Sequence, residues 1–424
     1  MKKLHIFTSA ACNYIPKVRL LFNSLRQHHP EAVLHLALAD EVPPGIDLSR
    51  EPFDFVMNPS ELDIPEWGGW AFCHSIVELA TAIKPFYLLK LLARDDCGKV
   101  LYLDPDTVTF SRLDDILEAL DEASITLTPH LIQPEADIGA VIDNEICNLK
   151  HGVFNLGFIG VANTFGGKRF ARWWADRTYY FCRAETHNGL FTDQKWIDLV
   201  PALFDDWAVI RSPRHNVATW NLNSRPIVWD AVSGYRVCGE PLGFYHFTGF
   251  DSGAHEIMLN KYGRDSPDAA RLVAWYKREA KKLGGDPLSR VHWRFGSYSN
   301  GVDIERFHRL IYRERVDLQR AFPYPFDAVA DNSYYAWLMT QGKLEFPRLF
   351  DERESPNEML RMSMVITPGF QPQHSSPGPG IGAYMLDAVR DPRFGLAMTK
   401  KAYRIIRGEG LSGLLARAKR RRSI

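Results

Sequence analysis

A pair of aspartates within residues 99–110, KVLYLDPDTVTF, has the type and spacing of metal ligands. The apolar run VLYL before them predicts a buried strand. This strand must end or kink at Pro105, because proline cannot donate to a β-ladder. Asp104 and Asp106 are two residues apart in an extended chain, so their side chains point the same way. Neighbouring carboxylates repel each other unless a cation lies between them, and Mg²⁺ or Mn²⁺ also binds phosphate oxygens.

The Asp-Pro-Asp turn also has a purely structural interpretation. Asp-X-Asp sequences occur in solvated turns and helix caps that bind no metal. The strand before this turn favours a metal site, because open α/β sheets bind their ligands at the carboxyl ends of strands. Residues 104–106 are therefore predicted to bind a divalent cation, with a solvated turn as the alternative.

Three further polar residues lie in apolar, β-prone segments. His246 lies near the end of the aromatic run GFYHFTG, and a histidine that ends a strand can join two aspartates as a third metal ligand. Asn155 and Gly157 interrupt the run VFNLGFIGV. A buried amide needs hydrogen-bond partners, and glycine allows a ligand to approach the backbone closely. The alternatives are a structural histidine and a β-bulge with a satisfied asparagine.

Two charged residues have equally open interpretations. Lys84 precedes Pro85 in a long helical stretch, residues 72–92, and is either a cation beside a diphosphate or a snorkelling surface lysine. Asp193 precedes a predicted helix and is either its cap or a carboxylate of the site.

The elements that would position these residues begin with a strand at 4–7, a helix after Pro16 and a strand at 33–38. This β-α-β order predicts a parallel sheet with right-handed crossovers. Thr8 and Ser9, which follow the first strand, are able to hydrogen-bond a nucleotide. The chain has neither GxGxxG nor GxxxxGK[ST] here, which argues against Rossmann dehydrogenases and P-loop enzymes.

Composition narrows the class of protein further. The 424 residues are 46% hydrophobic and 24% charged, as in soluble globular proteins. Lys and Arg number 51 and so do Asp and Glu, so no net charge draws the chain to nucleic acid. The six cysteines lack a CxxC pair or zinc spacing and are predicted to be reduced thiols of a cytosolic protein. No apolar run approaches the roughly 20 residues of a membrane span.

The character of the chain changes after residue 285, where helical patterns dominate. Residues 367–395 are predicted to be a linker or loop, because they contain the Pro- and Gly-rich stretch TPGFQPQHSSPGPGIG. Residues 396–424 form a basic amphipathic tail, which is either a contact with anionic lipid or a solvated terminus.

Six segments occur in the order of a known family: LHIFTSA, KPFYLLKLL, KVLYLDPDTVTF, FNLGFIGV, TDQKWIDLVPALF and YHFTGF. Over about residues 1–250 the chain resembles nucleotide-sugar glycosyltransferases of GT-A fold, in particular family-eight-like bacterial enzymes of surface-polysaccharide assembly. The resemblance implies an α/β, Rossmann-type mixed central sheet flanked by helices, with a mainly helical C-terminal extension. The expected domains are a catalytic domain at 1–285 and the extension at 286–366.

The resemblance also implies roles for individual residues. Asp104, Asp106 and His246 would hold Mn²⁺ or Mg²⁺ against the donor diphosphate. The remaining expected positions are Thr8, Ser9 and Tyr14 at the base and ribose, Lys84 and Gly249 at the diphosphate, Asn155 and Gly157 beside the transferred sugar, and Asp193 and Gln194 at the reacting carbon or acceptor.

One departure from the family pattern concerns the leaving diphosphate. The family has a lysine shortly after His-x-x-Gly, whereas this chain has no lysine between Gly249 and Lys261. Lys84, Lys261 or an arginine would then have to contact the diphosphate.

The function implied is a cytosolic, metal-dependent transferase that moves a sugar from a nucleotide-sugar, a UDP-sugar by first choice, to a glycan or lipid-linked acceptor. It would retain the configuration of the anomeric carbon and work in surface-polysaccharide or glycoconjugate synthesis, with peripheral contact to the inner membrane through the basic tail. One alternative is a sugar-phosphate nucleotidyltransferase, but TSAACNYIPK lacks the Gly-rich, basic loop that this class needs. The other is a non-catalytic glycan-binding or scaffold relative.

Overall fold

A computed structural model describes residues 2–264, 266–283 and 285–372, together with residue 407. Almost all of the predicted linker and of the basic tail therefore lies outside the described residues. The extension at 286–366 is described throughout and is mainly helical, as predicted.

The centre of the protein is a seven-stranded sheet in the order β3-β2-β1-β4-β7-β6-β8. Its strands are β1 (Lys3–Ala10), β2 (Val33–Leu38), β3 (Phe55–Met57), β4 (Cys97–Leu103), β6 (Ile125–Pro129), β7 (Phe154–Ala162) and β8 (Trp207–Val209). Strand β7 is antiparallel to β4 and β6, and the other neighbours are parallel. The mixed, mostly parallel sheet predicted from the sequence is confirmed.

Two small sheets complete the β-structure. Strand β5 (Thr107–Thr109) pairs with β12 (Phe244–His246), and a three-stranded sheet contains β9 (Ile227–Asp230), β10 (Gly234–Val237) and β11 (Glu240–Pro241). The β5–β12 pair is antiparallel and places His246 opposite Thr107. This long-range pairing brings the predicted histidine ligand to the aspartates.

Helices cover the sheet and build the extension. Those of residues 1–285 are α1 (Ile15–His28), α2 (Trp67–Phe72), α3 (Ile76–Ala82), α4 (Lys84–Leu92), α5 (Asp114–Glu122), α6 (Ile138–Ala140), α7 (Cys147–His151), α8 (Phe165–Phe181), α9 (Gln194–Ile197), α10 (Val200–Leu203), α11 (Ala254–Tyr262) and α12 (Pro267–Leu283). A π-helical turn, Val141–Ile146, joins α6 to α7. The extension contains α13 (Arg306–Glu314), α14 (Val316–Ala321), α15 (Tyr334–Trp337), α16 (Lys343–Glu345) and α17 (Ser355–Met362).

The first β-α-β unit follows the apolar periodicity of the sequence. Helix α1 begins with Pro16 in its first turn and buries its predicted apolar face, Val18, Leu21, Phe22 and Leu25. Strand β1 is longer than predicted, because its ladder with β2 continues through Thr8, Ser9 and Ala10. Thr8 and Ser9 therefore lie inside the strand rather than after it, and both are buried.

The helical stretch predicted at 72–92 contains two helices, α3 and α4, which follow the end of α2 at Phe72. Pro85 lies in the first turn of α4, where a missing N–H costs no hydrogen bond, so the chain breaks just before Lys84. Lys84 thus begins a helix that packs against α8 under the sheet.

The extension packs into the same hydrophobic core as the sheet. The ring of Phe72, at the end of α2, contacts four aromatic rings of the extension, Tyr298, Tyr312, Phe326 and Tyr334, at centroid distances of 5.1–5.8 Å. All six cysteines are free, and four of them are buried. In the described part of the chain, no helix combines the length and hydrophobicity needed to span a bilayer.

Candidate metal centre

Asp104, Asp106 and His246 each direct one ligand atom to a common point, and these atoms lie within 4.8 Å of one another. The Nε2 atom of His246 is 3.1 Å from Asp106 Oδ1 and 3.6 Å from Asp104 Oδ2. Strand β4 ends at the first aspartate and β12 ends at the histidine, so the centre lies at a carboxyl edge of strands, as predicted.

Backbone hydrogen bonds fix the turn that carries the aspartates. The N–H of Asp104 donates to Gly157 O at 2.9 Å, and the N–H of Thr107 donates to Asp104 O at 3.0 Å. On the other side, the N–H of Phe247 donates to Asp106 O at 2.9 Å. The turn is therefore tied to both β7 and β12, which favours the metal-site interpretation over a solvated turn.

The histidine ring is oriented by Asn155. Its Nδ1 lies 3.2 Å from Asn155 Oδ1, and the Nδ2 of the same amide lies 3.0 Å from His130 Nε2. With the proton on Nδ1, the Nε2 lone pair of His246 faces the carboxylates, which is the arrangement that metal-bound histidines adopt. Asn155 is a satisfied buried amide whose partner is the metal-site histidine.

Gly157 makes room for the same ring. A Cβ at this position would lie 2.4 Å from His246 Cε1 and 2.6 Å from Asn155 Oδ1, too close for any side chain. The close approach predicted for this glycine is therefore made by His246 itself.

The charges of this cluster shift the pKa values of His246 and Asp106 in opposite directions. Burial lowers the pKa of His246, but the charges of Asp106 and Asp104 outweigh burial and raise it above 6.5. Burial raises the pKa of Asp106, but the charge and hydrogen bond of His246, followed by the charge of Lys17, bring it below the ordinary value. Two carboxylate oxygens and one imidazole nitrogen suit Mn²⁺ or Mg²⁺, which would replace this positive charge. The residues present therefore fit a divalent cation.

Lys84 lies behind the aspartates and is buried, so its interpretation as a snorkelling surface lysine is wrong. Its Nζ is 3.3 Å from Asp104 Oδ1 and 3.2 Å from Asp193 Oδ2. Burial disfavours the ammonium group, but the two carboxylates outweigh it and raise the pKa of Lys84. The Tyr102 hydroxyl also donates to Asp104, and its ring lies 4.2 Å from the Lys84 nitrogen.

Asp193 makes no capping hydrogen bond to helix α9 and instead faces Lys84. Burial raises the pKa of this carboxyl group, and the charge of Asp104 raises it further against the opposing effect of Lys84. The residue before it, Thr192, has φ of +46°, an uncommon value for a β-branched residue. This strained turn directs Asp193 into the charged cluster rather than along the helix.

Gln194 uses both ends of its side chain on the backbone. Its Oε1 accepts from Leu156 N at 3.0 Å, and its Nε2 donates to His151 O at 3.2 Å. These bonds fix the start of β7, between Asn155 and Gly157, to the end of α7.

Of the three residues predicted to bind the base and ribose, Thr8 and Ser9 are buried and Tyr14 is half-buried. The Ser9 hydroxyl donates to Ala80 O at 2.7 Å, while the buried Thr8 hydroxyl has no hydrogen-bond partner. Tyr14 is half-buried, and its hydroxyl donates to Asp251 Oδ2 at 3.0 Å. The negative charge of Asp106 contributes to a raised pKa of Tyr14, after the larger effect of burial. Asp251 follows the histidine ligand by five residues, so Tyr14 contacts the loop that leaves the metal centre.

The loop after His246 forms an ion pair with helix α1 that the sequence did not indicate. Gly249 adopts φ of +71°, and the loop returns Asp251 to helix α1, where it pairs with Lys17. Lys17 is one helical turn from Tyr14, and this spacing was the only sequence signal for it. Lys261 pairs with Asp143 instead.

Comparisons with known proteins add relatives of unassigned function and distant structural neighbours. No family model matches the chain. Two proteins of Bacillus subtilis (strain 168), the uncharacterized proteins YfnF and YfnD, are each 26% identical. The alignment with YfnF covers 57% of this chain and 82% of that protein, and the alignment with YfnD covers 59% and 79%.

The similar solved structures are glycosyltransferases. The galactosyltransferase LgtC, in complex with donor and acceptor sugar analogs, has a TM-score of 0.36 at 16% identity, over 58% of this chain and 87% of its own. Mouse xyloside xylosyltransferase 1 has a TM-score of 0.33 at 15% identity, over 58% and 97%. GlyE of Streptococcus pneumoniae TIGR4 has a TM-score of 0.32 at 18% identity, over 52% and 48%. Similarity at this level assigns neither a fold nor a function to this chain.

Proposed function

We propose that this protein is a metal-dependent glycosyltransferase that uses a nucleotide-diphosphate-sugar donor. The single observation that carries the proposal is the convergence of Asp104, Asp106 and His246 at the carboxyl edge of the sheet. Two acidic side chains and one imidazole at such an edge suit a divalent ion that also binds a diphosphate. The resemblance in six ordered sequence segments supports the same class of reaction.

The chemistry of glycosyl transfer matches these residues. Breaking the bond between the anomeric carbon and the diphosphate leaves negative charge on the departing phosphate oxygen. Asp104, Asp106 and His246 would hold Mn²⁺ or Mg²⁺, which supplies Lewis acidity to that oxygen. Lys84 keeps its positive charge behind Asp104 and so limits the repulsion between the aspartates and an incoming diphosphate.

Roles for the remaining residues follow from their contacts. Asn155 positions the histidine ligand, and Gln194 positions the backbone at the start of β7. Asp193 shares Lys84 with Asp104, and following the resemblance we assign it to the reacting sugar or acceptor. Tyr14, Thr8 and Ser9 are assigned to the nucleoside on the same basis.

The finer assignments rest on the sequence resemblance. They are a UDP-sugar donor, a glycan or lipid-linked acceptor, retention at the anomeric carbon, and a role in surface-polysaccharide or glycoconjugate synthesis. Peripheral membrane contact through residues 396–424 belongs to the same group of proposals.

The proposal is tested by thermal shift and hydrolysis measurements with a panel of nucleotide-sugars, with and without Mn²⁺. We expect one nucleotide class to stabilise the protein only when metal is present, and Asp104→Ala to abolish that effect. The matched control is Asp115→Ala, which removes another carboxylate bonded to a histidine, His215, at 2.7 Å. If no nucleotide binds with any metal, the proposal is wrong.

A second candidate, a non-catalytic glycan-binding or scaffold relative, is favoured by one observation. The loop after Gly249, residues 250–253, contains no lysine, whereas the family pattern has one shortly after His-x-x-Gly. Under this alternative the protein would bind glycans without metal-dependent binding or hydrolysis of any nucleotide-sugar.

A further inference from the structure

Lys17, Tyr14 and Asp251 form a triad between the start of helix α1 and the loop that follows the histidine of the metal centre. The ammonium group of Lys17 pairs with both carboxylate oxygens of Asp251, and the hydroxyl of Tyr14 donates to Asp251 at 3.0 Å. The Lys17 nitrogen also lies 4.3 Å from the centroid of the Tyr14 ring. Helix α1 thus presents a cation and an aromatic ring together.

The loop that carries Asp251 is a direct continuation of the metal-binding strand. Phe247, next to the histidine ligand, hydrogen-bonds the backbone of Asp106, and its ring stacks on Tyr276 at 3.8 Å. Phe250, next to Asp251, contacts the edge of the same tyrosine ring at 4.9 Å. The triad is therefore held against the metal centre by packed aromatic rings.

The charges around the centre balance without a bound nucleotide. Asp104, Asp106 and Asp193 carry three negative charges, and Lys84 with a divalent ion carries three positive ones. Lys17 and Asp251 neutralise each other. A bound diphosphate adds the negative charges of two phosphate groups, and nothing in this inventory neutralises them while Lys17 remains paired.

Accessibility distinguishes the two lysines of the site. The Lys84 side chain is 4% exposed and already lies between two carboxylates, whereas the Lys17 side chain is 20% exposed and that of Asp251 is 58% exposed. Exposed ion pairs are weak, so exchanging this carboxylate for a phosphate group costs little. Lys17 is the more accessible of these two lysines, and the loop that carries its partner Asp251 is hydrogen-bonded at Phe247 to the backbone of Asp106.

We propose that Lys17 is a diphosphate-binding residue of this site. Its ammonium group breaks its ion pair with Asp251 and binds a nucleoside diphosphate that is held at the metal centre. The inference rests on the proposed function and names the residue that neutralises its leaving group. Asp251 competes with the nucleotide for Lys17, so removing the two side chains has opposite effects on nucleotide affinity.

An ion pair at the far end of strand β4 provides a matched control. Lys99 lies near the start of β4, whose other end leads into Asp104, and it pairs with Asp121 at 2.6 Å. The side chains of Lys99 and Asp121 are 23% and 64% exposed, close to the values of Lys17 and Asp251. This pair repeats the charge and exposure of Lys17 and Asp251 away from the metal centre.

The experiment measures the affinity of the full chain for UDP, and then GDP, CDP, ADP and dTDP, by titration calorimetry with and without Mn²⁺. We expect Lys17→Met to weaken the metal-dependent affinity at least about tenfold, since a hydrogen bond to a charged group is lost. Asp251→Asn is expected to tighten it roughly two- to fivefold, because Lys17 no longer has to leave an ion pair. Lys99→Met is expected to change nothing.

Comparison of UDP with UMP distinguishes a phosphate contact from a general effect. Lys17→Met should weaken UDP more than UMP if the lysine binds the terminal phosphate group. Equal affinities of the Lys17→Met and Lys99→Met variants, with metal-dependent binding intact, would overturn this inference alone. Absence of nucleotide binding in the wild-type chain would overturn the proposed function and the inference with it. If Lys17→Met does not fold, the sign of the Asp251→Asn effect decides.

Discussion

One group of charged side chains is buried around Asp104 at the edge of the sheet, and another is buried around Arg183 at the joint with the C-terminal helices. In the metal centre, two carboxylates and an imidazole converge on one point. The second group, here called the joint cluster, consists of Glu78, Arg183, Glu185, Arg313 and Glu314.

Each guanidinium group of the joint cluster pairs with two carboxylates, so that Arg183 and Arg313 share Glu185 and Glu314. Arg183 lies 3.3 Å from Glu314 and 3.6 Å from Glu185, and Arg313 lies 3.0 Å from Glu314. Glu78 accepts backbone hydrogen bonds from Ser75 at 2.9 Å and Ala184 at 3.1 Å. Each charge therefore has its partner within the protein.

This difference shows that buried charge does not by itself indicate a binding site. The joint cluster pairs its charges with one another and connects α3 to α13 through the segment that follows α8, which makes it a structural feature. In the metal centre, two carboxylates instead converge beside an imidazole, and a divalent cation there would offset their repulsion. The following predictions test whether one cluster governs stability and the other governs binding.

The largest effect is expected from Arg313→Met in the joint cluster. The change leaves Glu78, Glu185 and Glu314 without their shared cation, and breaking a buried ion pair costs about 3–5 kcal/mol. Urea unfolding should show this loss of the free energy of unfolding. The control is Arg315→Met, since Arg315 pairs with Asp317 on the surface and such pairs contribute about 1 kcal/mol or less.

Asp104→Asn in the metal centre should have the converse effect. We expect Mn²⁺-dependent nucleotide affinity to fall at least about a hundredfold, because losing even outer-shell partners of a metal costs about 10–100-fold. The loss of stability should be smaller than for Arg313→Met, because the pair of Asp106 and His246 remains. Calorimetric titration and urea unfolding measure the two quantities. A large loss of stability with unchanged nucleotide affinity would contradict the comparison.

Gly157→Ala tests how closely the metal centre is packed. The added Cβ would lie 2.4 Å from the His246 ring, so the histidine must move. We expect overpacking to cost about 1–3 kcal/mol of stability. Metal-dependent nucleotide affinity should also fall. Gly68→Ala in helix α2 is the control, because nothing lies within 4 Å of its Cβ and alanine favours a helix.

The smallest effect concerns acid and the histidine of helix α13. Burial and the charge of Arg309 lower the pKa of His308 from 6.5 to about 4. In the unfolded chain, His308 binds a proton below about pH 6.5, whereas in the folded protein it does so only below about pH 4. The free energy of unfolding therefore falls as the pH falls through this range. Between pH 7 and 5.5 this residue should account for about 1 kcal/mol of lost unfolding free energy.

His308→Asn is the variant that isolates this contribution. Urea unfolding at the two pH values should show a smaller acid-induced loss for the variant than for the wild type. Equal losses in both proteins would mean that His308 is already protonated in the folded state at pH 5.5.

Much of the fold was predictable because it depends on local patterns. The apolar face of α1, strand β2 and the break at Pro105 follow from side-chain periodicity and backbone chemistry over a few residues. The end of β1 was not predictable, because Thr8 and Ser9 have no strong preference and pairing with β2 decides their conformation.

The metal centre was predictable in part for a related reason. A strand that ends in two aspartates and another that ends in a histidine indicate ligands, and these three side chains do meet. The partners of those ligands gave no such signal. Lys84 was open to two interpretations, Gln194 bonds the backbone, and Lys17 lies far along the chain from Asp251.

The sequence by itself determined the order of the elements and the residue types available for metal binding, since both depend on near neighbours in the chain. Only the tertiary structure decided which charges are paired. The pairing of β5 with β12 brings His246 to Asp106 across the chain, and the loop after Gly249 brings Asp251 to Lys17. Electrostatic energies depend on distance and burial, and long-range pairing of strands and loops sets both.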